Sequence, residues 1–251
     1  MADKIFDAIE QLEARTPAPW GAVLDAGTGR HSLTWLAGIA RCARWTAVTA
    51  AEGMRQEVAG ALAGRVRAQD RIVIGNWRDP AFLAGERFDV VLADYLLGAL
   101  DAFDPFGQEE LFPRLRPHVA GRLYVVGLEP SPPRAEGAWG QLVLEIERLR
   151  DACVLLAGDR CYREYPRRWV VASLERAGFR VSEQRAFPIR YGDKFVNGQL
   201  GVAESKLERI RARDAALGRE LAAAIERLRR RAQDAPRATF GEDYLVAAEP
   251  R

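Results

Sequence analysis

Only three of the 251 residues are cysteine and only two are histidine. Cys42, Cys153 and Cys161 are odd in number and far apart, which excludes a disulfide framework and a Cys-x-x-Cys metal site. No metal is expected, and a reduced, cytoplasmic setting fits best. No apolar run approaches the ~18 residues that a membrane-spanning helix needs. The stretch Met1 to Gln11 is acidic and amphipathic, without the basic flank, apolar core and cleavage site of a secretory leader, so neither secretion nor a membrane is expected. Charge of one sign is scarce too. The 37 Lys+Arg and 35 Asp+Glu leave a formal net charge of +2, too little for a whole-molecule field that would hold a polyanion. Lysine itself is nearly missing, because arginine supplies 34 of the 37 basic residues. That bias weakens any functional argument from counting arginines. Internal repeats and low-complexity tracts are lacking as well.

What is present is an ordinary globular chain, 48% hydrophobic, long enough for one large or two small domains. Short aliphatic and β-branched runs alternate with segments of helical period, the pattern of a parallel α/β sheet. Strands are expected at Ala22–Ala26, Trp45–Thr49, Arg71–Gly75, Phe88–Ala93 and Arg122–Leu128. Helices are expected near Ser32–Arg41, Glu52–Leu62, Pro80–Leu83 and Gln108–Leu115. The run Val90, Val91, Leu92 lacks polar alternation and reads as a central strand covered on both faces. Beyond Leu128 the rhythm changes. Glu129–Gly140, with three prolines and two glycines, reads as a loop, and Gln141–Leu156 and Pro166–Ala177 read as helices. A sixth strand over Phe179–Phe187, one long helix over 204–233 and a closing strand at Tyr244–Ala247 complete the pattern.

The sharpest local feature is Val23-Leu24-Asp25-Ala26-Gly27-Thr28-Gly29, an apolar strand running into an acid and then Gly-x-Gly, with a helix just after. Glycines there let the backbone approach a ligand closely, and a helix start nearby offers free amides. A dinucleotide fingerprint wants glycine or alanine three residues beyond the second glycine, where this chain has Ser32. Nicotinamide and flavin binding are therefore the lesser reading.

Asp25-Ala26-Gly27-Thr28-Gly29 resembles motif one of the class I S-adenosylmethionine-dependent methyltransferases. Three later segments resemble that family in the right order. Phe88-Asp89-Val90-Val91-Leu92-Ala93-Asp94 is similar to its fourth-strand motif, and Leu115 to Leu123 to its Leu-Lys-Pro-Gly-Gly-x-Leu turn, with His118 where glycine is commoner. Val170 to Phe179, ending Ala177-Gly178-Phe179, is similar to its entry into strand six. The resemblance spans about Ala22 to Ala248. It implies a single domain over 1–251, α/β and Rossmann-like, with a seven-stranded mostly parallel sheet of order 3-2-1-4-5-7-6, the last strand antiparallel, and flanking helices. It also implies S-adenosyl-L-methionine as cofactor. Asp25, Gly27 and Gly29 match the positions that pack on its amino-acid moiety. Thr49 stands where an acid usually holds the ribose, and Glu52 can reach back there or simply be solvated in the first turn of a helix. Asn76 takes the place of an Asp near the adenine amino group, Trp77 is placed to stack on the ring or to sit in the core, and Ala93 belongs to the fourth-strand motif.

Candidate catalytic groups must sit at the carboxyl ends of the strands, where open α/β sheets bind ligands. Asp94 and Tyr95 leave strand four there, His31 lies in the glycine loop, and Glu129 ends strand five as a further candidate, for the substrate as well. His118 falls at the opposite edge and reads as a surface turn residue. In this family strand six ends and strand seven begins at the active edge, so inserts 130–165 and 188–237 are expected to form a helical lid over the site. Tyr162, Tyr165, Arg168, Tyr191 and Lys194 are the substrate candidates these inserts bring. A lid favours an enclosed small-molecule acceptor with an N or O nucleophile, and no membrane partner. The helix over 204–233 carries nine basic and five acidic residues. It supports the alternative of RNA or protein methylation, against the reading of a solvated face whose apolar side packs on the lid or on a second copy of the chain. A non-catalytic cofactor-binding or scaffold relative is the third alternative.

Overall fold

Strands in the centre of this chain are written without polar alternation because helices cover both faces. In β4 (Phe88–Asp94) only Asp89 in the interior is exposed, whereas β6 (Phe179–Pro188) alternates buried or half-buried with exposed positions along its length, as a sheet edge does. The computed structural model describes residues 4–62 and 64–251. The described residues fall into two compact units.

The sheet unit comprises 1–129, 163–187 and 243–251. Its other strands are β1 (Gly21–Asp25), β2 (Cys42–Thr49), β3 (Arg71–Ile74), β5 (Val119–Leu128) and β7 (Glu242–Pro250). The order is β3-β2-β1-β4-β5-β7-β6, with β1 to β5 parallel and β7 antiparallel to β5. Contacts from Arg251 to Gly178 and from Ser182 to Ala247 run antiparallel as well. One face, with Leu24, Val91, Leu123 and Val246, packs on α4 (Leu96–Ala99), α5 (Gln108–Leu115) and α7 (Arg167–Arg176). The other, with Val23, Val90, Tyr124 and Leu245, packs on α1 (Lys4–Glu13), α2 (Arg30–Leu36) and α3 (Glu52–Leu62). Under α1, the fully buried Glu13 carboxylate accepts hydrogen bonds from Arg122, from the Tyr124 hydroxyl at 2.7 Å and from the Trp20 amide at 2.9 Å.

The helical unit comprises 130–162 and 188–242. It holds α6 (Ala138–Leu156), α8 (Asp193–Arg213) and α9 (Ala215–Asp234). Val196, Leu200, Ala203, Leu207 and Ile210 recur at alternating spacings of four and three, one helical stripe, and are buried with Leu142, Ile146, Ile225 and Leu228 in a common apolar core.

The structure corrects three local expectations. The helix expected over 204–233 is two helices. Asp214 sits in extended backbone, and its carboxylate accepts the amides of Ala216 and Leu217 at 2.9 Å each, so it stops α8 and caps α9. Pro80–Leu83 is a run of turns, since Asp79 Oδ1 takes the Ala81 amide at 2.9 Å and Leu83 adopts φ +55°. His118 is buried, with Nδ1 2.9 Å from the Glu86 carbonyl oxygen and its ring 5.6 Å from that of Trp77. A turn over a packed tryptophan is interior even at the amino edge of the sheet.

Candidate functional site

The strand order reverses between β1 and β4, and such a switch point leaves a crevice at the carboxyl ends. The chain leaves β1 through Ala26, Gly27 and Thr28, which line a cleft with Val48 and Thr49 from β2, Asn76 and Trp77 after β3, and Leu96 after β4. The Thr28 amide bonds the Val48 carbonyl at 2.7 Å and fixes the loop to β2. A Cβ on Gly27 would stand 2.5 Å from Leu96 Cδ1, so glycine is what lets backbone and cleft meet. Around Gly29 there is open space.

Asp25 ends β1 beneath this loop, fully buried. Neither carboxylate oxygen makes a hydrogen bond of normal geometry. Burial pushes its pKa up to about 6, against the milder opposing pull of the nearby Thr28 and Ser32 hydroxyls and the Gly27 amide. Thr49 Oγ1, at the end of β2, is likewise buried without a partner. Glu52 lies outside the lining. Its exposed carboxylate is held by Arg55 and accepts from Gln56 at 3.2 Å, and the Arg55 bond keeps its pKa below the usual range. Asn76 Oδ1 accepts the Arg78 amide at 3.0 Å. Trp77 is both wall and core: its indole donates to the Ala26 carbonyl at 2.7 Å, and its ring meets Phe82 edge-on.

At the same edge Asp94 ends β4, and Tyr95 adopts φ +47°, a left-handed conformation rare for an aromatic residue. The Tyr95 hydroxyl donates to Asp243 Oδ1 at 2.7 Å, joining the end of β4 to the start of β7. Among the described residues no group of three or more His, Cys, Asp and Glu is placed to hold a metal ion.

The sequence matches no family model and no curated protein. Solved structures do resemble it. A candidate methyltransferase from Bacillus halodurans C-125 aligns over 99% of this chain and 100% of its own, with TM-score 0.63 and 17% identity. The YcgJ protein of Bacillus subtilis aligns over 98% and 97%, with TM-score 0.58 and 15% identity. The mycolic acid cyclopropane synthase CmaA1, solved with S-adenosylhomocysteine (SAH) and CTAB, aligns over 97% and 83%, with TM-score 0.57 and 13% identity. The chain has the class I S-adenosylmethionine-dependent methyltransferase fold.

Within this methyltransferase fold the remaining candidates separate. Ala93 is buried in β4. His31 is exposed on the first turn of α2 with its ring 5.1 Å from Phe6, and is not part of the cleft lining. Glu129 Oε1 accepts the Arg167 amide at 3.0 Å and so caps α7. Tyr165 packs on Trp169, and its carbonyl accepts the Tyr244 hydroxyl at 2.7 Å. Arg168 is exposed on α7. In the helical unit Tyr191 stacks on Phe195 with centroids 3.8 Å apart, Lys194 is exposed, and Tyr162 is 62% exposed. Sequence reasoning missed Met54, Leu96, Leu100 and Phe103 in the cleft wall, and Asp243. Met54 and Phe103 are large apolar side chains more than a third exposed, but nothing in an apolar-rich sequence marks them before the fold is known.

Proposed function

We propose that this protein is an S-adenosylmethionine-dependent methyltransferase acting on a small-molecule acceptor. The observation that carries the reading is the fully buried carboxylate of Asp25, which makes no hydrogen bond of normal geometry, beneath a glycine loop that lines the cleft. A buried carboxylate without partners is costly. A cation seated on the Gly27–Gly29 loop would offset that cost through the low-dielectric interior and hold Asp25 ionised. When bound, S-adenosylmethionine supplies such cationic character, together with an electrophilic methyl group. Met54, Trp77 and Phe103 offer an apolar and aromatic wall to an adenine. Thr49 supplies the hydroxyl for the ribose, in place of the acid that the family usually has there. Asp94 is the group placed to take a proton from an N–H or O–H acceptor, and Tyr95, tethered to Asp243, fixes the wall beside it. Holding the acceptor in line with the breaking bond accounts for most of the catalysis such a site must supply.

The chain leaves the sheet unit at the carboxyl ends of β5 and β6 and returns at α7 and the start of β7. Structural neighbours include a [4+2]-cyclase and cyclopropane synthases, so the fold also carries carbon chemistry. The carboxylate at the edge of β4 favours N or O here. Methylation of RNA is the weaker reading, because Arg229 pairs with Glu204 and Glu226, and Arg231 with Glu145.

Calorimetric titration of the whole chain with S-adenosylmethionine and SAH tests the proposal. Saturable binding of both is expected. Absence of heat and of thermal stabilisation at millimolar ligand overturns it and leaves the scaffold reading.

A further inference from the structure

The sheet unit contains a second cavity, of about 260 Å³, that shares Trp77 and Leu100 with the lining of the glycine-loop cleft. The rest of its wall comes from Arg78, the turn Asp104–Gly107 and one face of α5. Leu100 and Leu111 are buried and give it an apolar floor. Phe106 adopts φ +72°, a left-handed backbone rare for an aromatic residue, and stands at the cavity 72% exposed. Four charged side chains also line the cavity, and they divide into a pair and two singles. Arg78 and Asp104 form an ion pair at 3.3 Å and leave no net charge. Glu110 precedes Arg114 by four residues on α5, the spacing and order at which a helical ion pair forms most readily. Yet among the described residues neither has an ion-pair or hydrogen-bond partner, each other included. Arg114 is half-buried, where a cation without an anion costs more than at the open surface. The helix dipole favours an acid in the first turn and a base in the last. It explains the two signs but not why both line one cavity.

An unpaired cation, an unpaired carboxylate and an apolar floor in one concave site define a chemical class of ligand. We propose that this cavity binds a free α-amino acid with an apolar side chain, independently of the glycine-loop cleft. Its carboxylate binds Arg114, its ammonium binds Glu110, and its side chain lies against Leu100, Leu111 and Phe106. An ion of one sign would leave one of the two protein charges without a partner, which sets the zwitterion above a simple anion or cation. The volume falls below the range of about 300–1,000 Å³ that drug-sized ligands occupy, so the body must be small.

Calorimetric titration of the intact protein with L-phenylalanine and L-leucine tests the proposal. Phenethylamine, which lacks the carboxylate, and 3-phenylpropionate, which lacks the ammonium, are the single-charge controls. Saturable binding of the amino acids is expected, with each control weaker by about tenfold or more for the loss of one charge-assisted bond. Arg114→Gln should weaken L-phenylalanine about tenfold and leave phenethylamine unchanged. Glu110→Gln should do the same to L-phenylalanine and leave 3-phenylpropionate unchanged. Unfolding midpoints confirm that each variant is folded. No saturable binding of either amino acid at millimolar concentration overturns the proposal. So do controls that bind as tightly as L-phenylalanine, or binding that persists undiminished in both folded variants. Competitive displacement by SAH would place the amino acid in the glycine-loop cleft and overturns it as well.

Discussion

The two units use the same arginine–carboxylate chemistry at opposite depths. In the sheet unit, Glu13 is fully buried and has Arg122, Tyr124 and Trp20 as partners, whereas Asp25 is equally buried and has none of normal geometry. In the helical unit the carboxylates of Glu145, Glu204 and Glu226 pair with Arg229 and Arg231 on helix faces outside its hydrophobic cluster. The sheet unit therefore holds a network of charged and polar groups in its interior, and beside the cleft the buried Asp25 lacks a hydrogen bond of normal geometry. The helical unit spreads its charge where water screens it. A buried polar group without a partner marks where a ligand is expected, and a row of surface ion pairs does not.

The largest effect expected of this contrast is at Glu13. Glu13→Ala leaves Arg122 and Tyr124 facing a void under α1 and should cost about 3–5 kcal/mol of unfolding free energy in urea titrations. A loss below about 1 kcal/mol would show that the interior network contributes no more than a surface pair.

Asp25 should behave in the opposite sense. Its folded pKa of about 6 lies above the ordinary 3.8, so between these values the folded chain binds a proton that the unfolded chain has released. Stability contributed by this group therefore falls as pH rises through that window, and above it the full cost of the buried charge, up to about 3 kcal/mol, is present. Asp25→Asn should make the ligand-free protein more stable than the parent above pH 6, with the gap closing toward pH 4, while weakening SAH binding at least about tenfold. Denaturation at two pH values and calorimetry read the two effects separately. An Asn variant that is less stable at high pH would mean that the carboxylate has partners after all.

Much of this organisation was legible in the sequence, for identifiable reasons. Asp25, Gly27 and Gly29 stand out because a sharp strand-to-helix turn leaves few residue choices, and the uninterrupted Val90-Val91-Leu92 run marks a strand covered on both faces. The break at Asp214 was hidden because the apolar period of α8 and α9 runs on across it, so a capping aspartate looks like one more residue of a solvated face. Glu129 reads as a site residue because its place at the end of β5 follows from sequence, while its bond to the Arg167 amide depends on where α7 begins. The Tyr95–Asp243 contact joins residues 148 apart in the chain, beyond the reach of any local pattern.

Smaller effects sharpen the contrast inside the helical unit. Asp214→Ala removes the acceptor for two amides at the start of α9. It should cost about 1 kcal/mol, measured as a shift in the urea midpoint, with Asp214→Asn recovering most of it because an amide oxygen also accepts.

The smallest change is expected at Glu145. Its carboxylate binds the Arg231 guanidinium through both oxygens, yet the two side chains are 43% and 55% exposed. Side-chain entropy and screening by salt cancel most of the attraction in such a pair, so Glu145→Ala should change stability by less than about 1 kcal/mol. Raising the salt concentration should shrink even that difference. A double-mutant cycle with Arg231→Ala isolates the pair from the loss of either side chain. If its coupling energy matched the cost of Glu13→Ala, depth would not be what separates the two units, and the geometry of the arginine fork would have to carry the difference.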